Sequence, residues 1–451
     1  MSPEVQHHLN PLTDETPSST ELPASIVTSG IPGHERPVPP YAIDPPTKSV
    51  TPKFVAAFAF AQLALFIALL GPVTISMAIK VTAVVGDAQA TTAQGLILGV
   101  GALAALLANP FFGRLSDRTM SRWGRRRPWL VGGSLGLAAF LFVIAVGTNV
   151  PTLLIGWFLA QLAANACFAA YLATIADQVP PRQTAKISAL GGVMQNVGVL
   201  AAIWIATMFT SQMIALFMVP AAIGVVGMVV YALVLPDKQL PQRPPSMTVR
   251  AWLDTFWLSP RRYPDFAWAW ISRFLLILGS FLFSTFRFFW MKDHLGLSDA
   301  EAAGVVFKGV LIYTVVLVVV GQLAGIVSDR LARRKVFVFA STALFALGLI
   351  LLTQVNGVSG FYVVEAILGA AYGIYMGVDL ALVIGVLPNP DDSAKDLGVF
   401  NIANAAPQSL APFLGALLIG GAAKNYDLLY ISAAALTFLG ALAIIPVKKV
   451  K

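Results

Sequence analysis

Twelve apolar runs constrain this chain more than any other feature of its sequence. A helix that crosses a bilayer needs about 20 mostly apolar residues. With Pro, Gly and charge clusters taken as breaks, runs of that kind fall at 54–79, 92–113, 128–147, 151–176, 187–210, 213–235, 267–291, 302–327, 336–354, 360–387, 397–420 and 427–447. Charged residues make up 12% of the chain and apolar ones 57%, whereas about a quarter of a soluble domain is charged. The expected fold is therefore an all-α membrane protein with twelve transmembrane helices.

The loops orient the chain. Those after even-numbered runs, together with the C-terminus, hold 21 Lys and Arg; those after odd-numbered runs hold three, Lys80, Lys292 and Lys424. Basic residues accumulate on the cytoplasmic side, so both termini are expected there, in a plasma or inner membrane. The net charge of +8 does not point to nucleic acid, because the basic residues sit in short loops between apolar runs. The single cysteine, Cys167, lies within an apolar run, and three of the four histidines fall in the first 34 residues. No disulfide, multi-cysteine metal site or zinc-type cluster is expected, and no cofactor. Residues 1–52 are rich in Pro and acids and read as a disordered cytoplasmic tail. No charged stretch with a short apolar run precedes Lys53, so no cleaved signal peptide is expected.

A knot of six arginines and one aspartate, Gly113-Arg114-Leu115-Ser116-Asp117-Arg118 through Trp123-Gly124-Arg125-Arg126-Arg127-Pro128-Trp129, separates the second and third runs. A second copy starts 212 residues later as Gly325-Ile326-Val327-Ser328-Asp329-Arg330-Leu331-Ala332-Arg333-Arg334-Lys335, between the eighth and ninth. The longest interior loop, 236–266, divides the chain between the copies. The expected organisation is thus the tail, a six-helix half at 53–235, a cytoplasmic linker at 236–266, a second six-helix half at 267–447 and a basic tail at 448–451. Parallel six-helix repeats point to a transporter with its site at the midplane between them. No nucleophile, base and orienter can be assembled for an enzyme.

Gly-x-x-x-Asp-Arg followed by a basic pair, repeated in this way, resembles the signature of the major facilitator superfamily. The longer first copy, Ser116-Asp117-Arg118-Thr119 to Arg126-Arg127-Pro128-Trp129, looks like the glycoside–pentoside–hexuronide and sucrose carrier branch. So do Gly156-Trp157-Phe158 through Ala164-Asn165 to Ala176-Asp177, Val179-Pro180-Pro181, and Ala394 to Pro412. The resemblance spans about 52–447. It implies a cytoplasmic gate in which Gly113 and Gly325 permit close helix approach. Asp117 and Asp329 would pair with Arg118, Arg125, Arg126 and Arg330, Arg333, Arg334, and face a neighbouring helix N-terminus.

Ionisable residues inside spanning helices are costly and usually functional. Arg273 lies about 9 Å into the seventh run and Asp379 about 12 Å from the cytoplasmic end of the tenth. The resemblance puts helices one, four, seven and ten around the cavity, so an Arg273–Asp379 pair is expected as the coupling device. Lys308, Arg287 and Glu365 fall near the outer ends of their helices. Snorkelling explains the two bases, while Glu365 stays a second coupling candidate. Gln161 and Asn165, the trio Tyr372, Tyr375 and Asp379, and the trio Asn401, Asn404 and Gln408 each share a helix face. With Trp270, Tyr171 and the weaker Gln195, these are the candidate substrate-binding residues, suited to a hydroxylated small molecule such as a sugar. Alignment on the branch places the sucrose carriers' embedded aspartate at Gln161 and their arginine at Leu172. The paired carboxylates of the sodium-binding melibiose type fall on Ala105 and Asn109. Both of those coupling devices are lost. The reading is a proton-coupled importer of a glycoside or small oligosaccharide working by alternating access. The alternatives are an exporter or facilitator of another amphipathic solute, and a non-transporting sensor of the same fold. The only other expected partner is the lipid bilayer; the sequence does not fix an oligomeric state.

Overall fold

The computed structural model describes residues 46–240, 242, 260–331, 333–386 and 393–448. The expected tail up to residue 45, most of the linker and the last three residues lie outside the described residues. Twelve helices long and apolar enough to cross a membrane follow one another. They are α1 (Pro52–Val85), α2 (Asp87–Asp117), α3 (Arg127–Val146), α4 (Val150–Gln178), α5 (Pro181–Met208) and α6 (Met213–Val234), then α7 (Pro264–Leu295), α8 (Asp299–Leu331), α9 (Arg334–Leu352), α10 (Val358–Val386), α11 (Ser393–Ile419) and α12 (Tyr426–Ala443). No strand occurs among the described residues.

The helix ends follow from local chemistry. Thr51 caps α1 by accepting from the Phe54 N–H at 3.2 Å, with Pro52 opening the first turn. Asn149 and Asn425 cap α4 and α12 in the same way. Within α1, Pro72 has no N–H to give, and the turn Pro72–Ser76 widens to a π-helix in which Met77 N–H reaches the Pro72 carbonyl. The helix nonetheless continues to Val85, six residues past its expected end. Lys80, taken above as a loop residue, lies inside it, buried, and its ammonium donates to the Ala145 carbonyl at 2.7 Å. That carbonyl belongs to the last turn of α3, where helix acceptors are unsatisfied and a cation is favoured. The charge therefore need not be in a loop.

The packing repeats under a shift of six helices. In the first half α1 packs on α5 and α6, α2 on α4, and α3 on α4 and α6; in the second α7 packs on α11 and α12, α8 on α10, and α9 on α10 and α12. Close approach depends on small residues, as expected where lipid supplies no hydrophobic drive between helices. Gly369, Gly373 and Gly377 form a stripe on α10 laid on the α8 backbone, where an added Cβ would stand 2.4, 2.5 and 2.4 Å from the carbonyl oxygens of Tyr313, Leu317 and Gly321.

Between the halves, α2 meets α11 and α5 meets α8. The arginine-rich loops mark a basic face, and the halves join at the opposite, far face. There a Cβ on Gly95 would stand 2.5 Å from the Pro412 carbonyl, and one on Gly99 2.4 Å from the Phe413 ring. Gln94 donates to the Thr285 carbonyl at 3.1 Å. Lys292 lies 2.7 Å from Asp299 and 3.7 Å from Asp87 at the start of α2. Nearer the basic face, Leu172, Met376 and Gln408, each on the polar stripe of its helix, are exposed. The far side is closed in this conformation.

Replacing Gly373 with Val should lower the thermal unfolding midpoint of the purified protein, at a cost of about 2–3 kcal/mol for the overpacked α8–α10 contact. Gly132→Ala, where a Cβ meets nothing within 4 Å, should leave the midpoint unchanged. Equal midpoints for the two variants would contradict this packing.

Candidate functional site

Arg126 is the centre of the first motif. Its guanidinium donates to Asp117 at 2.6 Å, to Asp177 of α4 at 2.8 Å and to Ser116 at 2.9 Å, and it is 2% exposed. Arg125 joins from the side, paired with Asp177. Burial alone would lower the Arg126 pKa, but the Asp177 and Asp117 carboxylates more than offset it, and the pKa rises above the ordinary arginine value. Asp237, just beyond α6, accepts from the backbone N–H groups of Arg126 and Arg127 at 2.7 and 2.9 Å, capping the start of α3. Arg127 donates to the Leu235 carbonyl at 2.6 Å.

Three expectations change here. The carboxylate at a helix N-terminus is Asp237, not Asp117, because the chain leaving α6 passes directly under the first turn of α3. The side chains that Arg125 and Arg126 engage all belong to the first half, so in this conformation the knot holds that half together rather than clamping the two halves. Gly113 is not a close-approach residue: the nearest atom to an added Cβ is the Ala169 methyl at 3.9 Å, since α4 already presents a small side chain. Gly325 is tighter, with the Gly377 carbonyl at 3.3 Å. Of the expected partners, Arg118 pairs with no carboxylate among the described residues, and its Nε is an unpartnered buried atom. In the second copy the Asp329 side chain lies outside the described residues, and Arg330 and Arg333 are exposed; Arg334 opens α9, half-buried. Lys335 donates to the Ile445 and Val447 carbonyls beyond α12. This repeats Arg127 on Leu235: a base at the start of the third helix of each half caps the chain leaving the sixth.

Deeper in, the structure brings Arg273 of α7 and Asp379 of α10 into a salt bridge. At about 1.5 Å per residue, Arg273 is about 14 Å from the start of α7 and Asp379 about 11 Å from the end of α10. The Arg273 Nε also donates to the Asn404 Oδ1 of α11 at 2.7 Å, and its guanidinium lies over the Phe400 ring at 4.9 Å. Beside it, Trp270 donates to the Val399 carbonyl at 3.0 Å and stacks on Phe274. Tyr372 and Tyr375 stand two turns and one turn from Asp379 on α10, the first half-buried and the second fully so. Gln408 is exposed, and the Asn401 side chain lies outside the described residues.

The first half offers neutral polar groups. On α4 the Asn165 amide donates to the Gln161 carbonyl at 2.9 Å, and Asn109 of α2 approaches Asn165 at 3.5 Å. Tyr171 does not belong with them. It is fully buried among Phe58 and Tyr231, with its hydroxyl on the Phe58 carbonyl at 3.0 Å, because its position on α4 faces α1 and α6 rather than the cleft. Gln195 is exposed on α5.

Arg287 does not snorkel. It pairs with Glu365 of α10 at 2.7 Å, under the Phe283 ring, and Glu365 is 0% exposed. Both α7–α10 pairs are legible in retrospect. Arg273 and Arg287 are fourteen apart, as are Asp379 and Glu365, so two antiparallel helices that align one pair align the other. Asp177 and Asp237 were missed, lying 60 and 120 residues from the motif aspartate with no local pattern to tie them to it.

Two six-helix halves of repeated packing, with polar and ionised groups inside their spans, mark a membrane transporter. The chain belongs to the Major Facilitator Superfamily, whose sequence model matches residues 54–324 and 309–451. Solved structures share the fold. A bacterial homologue of the human lysosomal transporter Spinster, inward-facing and unoccupied, aligns over 89% of this chain and 99% of its own at 14% identity, with a TM-score of 0.65. The nucleoside transporter NupG aligns over 88% and 99% at 15% identity and a TM-score of 0.67. A peptide transporter in complex with sulfate aligns over 89% and 95% at 13% identity and a TM-score of 0.68. An uncharacterised symporter of Synechocystis sp. (strain ATCC 27184 / PCC 6803 / Kazusa) is 48% identical over 46 residues, 10% of this chain and 8% of its own length.

Arg126→Ala should cost about 3 kcal/mol by removing the buried cation that Asp117 and Asp177 share, with only Arg125 left beside Asp177. Arg126→Lys should recover only part of this, because an ammonium lacks the fork that spans two carboxylates. Unfolding midpoints in the order wild type, Lys, Ala are expected; an Ala variant as stable as wild type would remove the knot from the account.

Proposed function

We propose that this transporter is a proton-coupled importer of a glycoside or small oligosaccharide, working by alternating access, with its basic face in the cytoplasm. The observation that carries the reading is the Arg273–Asp379 pair between α7 and α10, deep within both spans. A coupling carboxylate must be neutralised in one state and charged in the other, and a cation within contact sets the balance. Amides on both walls, Gln161, Asn165 and Asn109 on one and Asn404 and Gln408 on the other, suit a ligand rich in hydroxyls. The short match to a symporter supports coupling, and the sequence resemblance to the glycoside–pentoside–hexuronide branch supports a sugar. The missing carrier-type pair at Gln161 and Leu172 favours, as second reading, a facilitator or exporter of another amphipathic solute.

Proteoliposomes and a panel of labelled glycosides, neutral and acidic, test this. An imposed inside-alkaline gradient should drive accumulation, and Asp379→Asn should abolish accumulation while sparing counterflow. Gradient-driven accumulation by Asp379→Asn equal to wild type would remove coupling from Asp379, and no exchange of any glycoside would end the sugar reading.

A further inference from the structure

The second half contains two Arg–carboxylate pairs between the same two helices, built for different ends. Arg287–Glu365 is sealed: Glu365 is 0% exposed, Phe361 and Gly309 close around it, and the second carboxylate oxygen and the Arg287 Nε have no partner among the described residues. Glu365 has no exposed surface in this conformation. In Arg273–Asp379 both side chains keep some exposure, Arg273 14% and Asp379 9% against 9% for Arg287 and 0% for Glu365, and exposed Met376 lies three residues before Asp379 on the same helix.

What holds Arg273 decides what can happen to it. Two of its three partners among the described residues, the Asn404 amide oxygen and the Phe400 ring, are neutral and independent of pH. Protonating Asp379 therefore leaves the guanidinium in place and removes only the counter-charge on one edge. The titratable groups around Asp379 among the described residues are Arg273 of α7 and Tyr375 and Tyr372 of α10; α11 adds the neutral Asn404. None of them can replace the missing negative charge. A partly buried cation without its partner is strongly unfavourable, so a neutral solute would leave this pair a poor proton site. An anionic solute removes the difficulty.

We propose that the solute carries one carboxylate, which takes the place of Asp379 on Arg273 when Asp379 accepts the coupling proton. The inference rests on the reading of Asp379 as coupling group and specifies the charge of the hydroxylated solute. One proton enters on the Asp379 carboxyl and one negative charge on the solute, so the loaded carrier has the same net charge as the empty one. A planar guanidinium edge matches a carboxylate with two parallel hydrogen bonds, and Gln408 and Asn404 lie within a turn or two on α11 to receive hydroxyls. Release follows in reverse: loss of the proton restores Asp379 as the competitor that displaces the solute.

Binding to the purified full-length protein tests this without knowledge of the natural solute. The probes are potassium gluconate and potassium acetate, against sorbitol and potassium chloride at matched osmolarity and ionic strength. Asp379→Asn imitates the protonated carboxyl and leaves Arg273 without its anion. Its melting temperature should rise by about 2 °C or more with the carboxylates and not with the controls. The double variant Arg273→Gln/Asp379→Asn should lose that response. Wild type provides an arm free of mutation, with stabilisation by gluconate expected at pH 5 and at least tenfold weaker in apparent affinity at pH 7.5. Absence of carboxylate-specific stabilisation in both arms, or its persistence in the double variant, overturns the proposal. These outcomes are distinct from those of the proposed function: neutral glycosides that accumulate with protons while carboxylates fail to bind would sink the anion inference and leave proton coupling intact.

Discussion

A guanidinium that leaves water must be met by partners supplied by the protein, and much of this molecule is arranged around three such groups. Arg126 is met by Asp117, Asp177 and Ser116, Arg273 by Asp379, Asn404 and Phe400, Arg287 by Glu365 and Phe283. In each case the partners come from different helices, so each arginine fixes helices relative to one another. Arg126 ties the α2–α3 turn to α4, while the adjoining backbone ties it to α6. Arg273 and Arg287 tie α7 to α10 at two depths. Removing one member of such a set leaves an uncompensated buried charge, which is why these pairs specify geometry more strongly than their net stability suggests.

The halves are alike in scaffold and unlike in chemistry. The same helix pairs pack in each, and a base at the start of the third helix caps the chain beyond the sixth in both. Within the spans, however, the first half carries amides on α4 and the second an ion pair between α7 and α10. A transporter whose halves rock about a site between them needs a rigid wall and a wall whose charge can change. Here the amide wall on α4 is internally hydrogen-bonded, while the charged wall has one titratable carboxylate at its edge. The far-face contact at Gly95 and Gly99 is dense and nearly without charge, with Lys292 and Asp87 at its rim. Such a seam can separate without stranding ions in hydrocarbon.

Much of the fold was legible because bilayer physics leaves few alternatives. The helix boundaries fall within a few residues of the apolar runs, and the larger misses have a local cause. Lys80 looked like a loop residue because charge usually ends a span, yet the open carbonyl end of α3 accepts it. Arg287 looked like a snorkelling base for the same reason, and Glu365 across the gap reverses that. Tyr171 shows the converse limit: periodicity gives a residue its helix face but not which neighbour that face meets.

The sequence alone determined the twelve spans, the two-fold repeat and the position of the charge knots, since run length, loop charge and motif spacing are properties of the chain itself. It also placed Arg273 and Asp379 at a common depth, because rise per residue is fixed in a helix. Only the tertiary structure decided that the far side is shut, that Arg126 rather than Arg118 gathers the motif, and that Asp177 and Asp237 complete it. It alone separated the fully buried Glu365 of one α7–α10 pair from the slightly exposed Asp379 of the other. Those outcomes turn on which faces of distant helices come together and which remain in contact with the cleft, and no spacing along one helix encodes that.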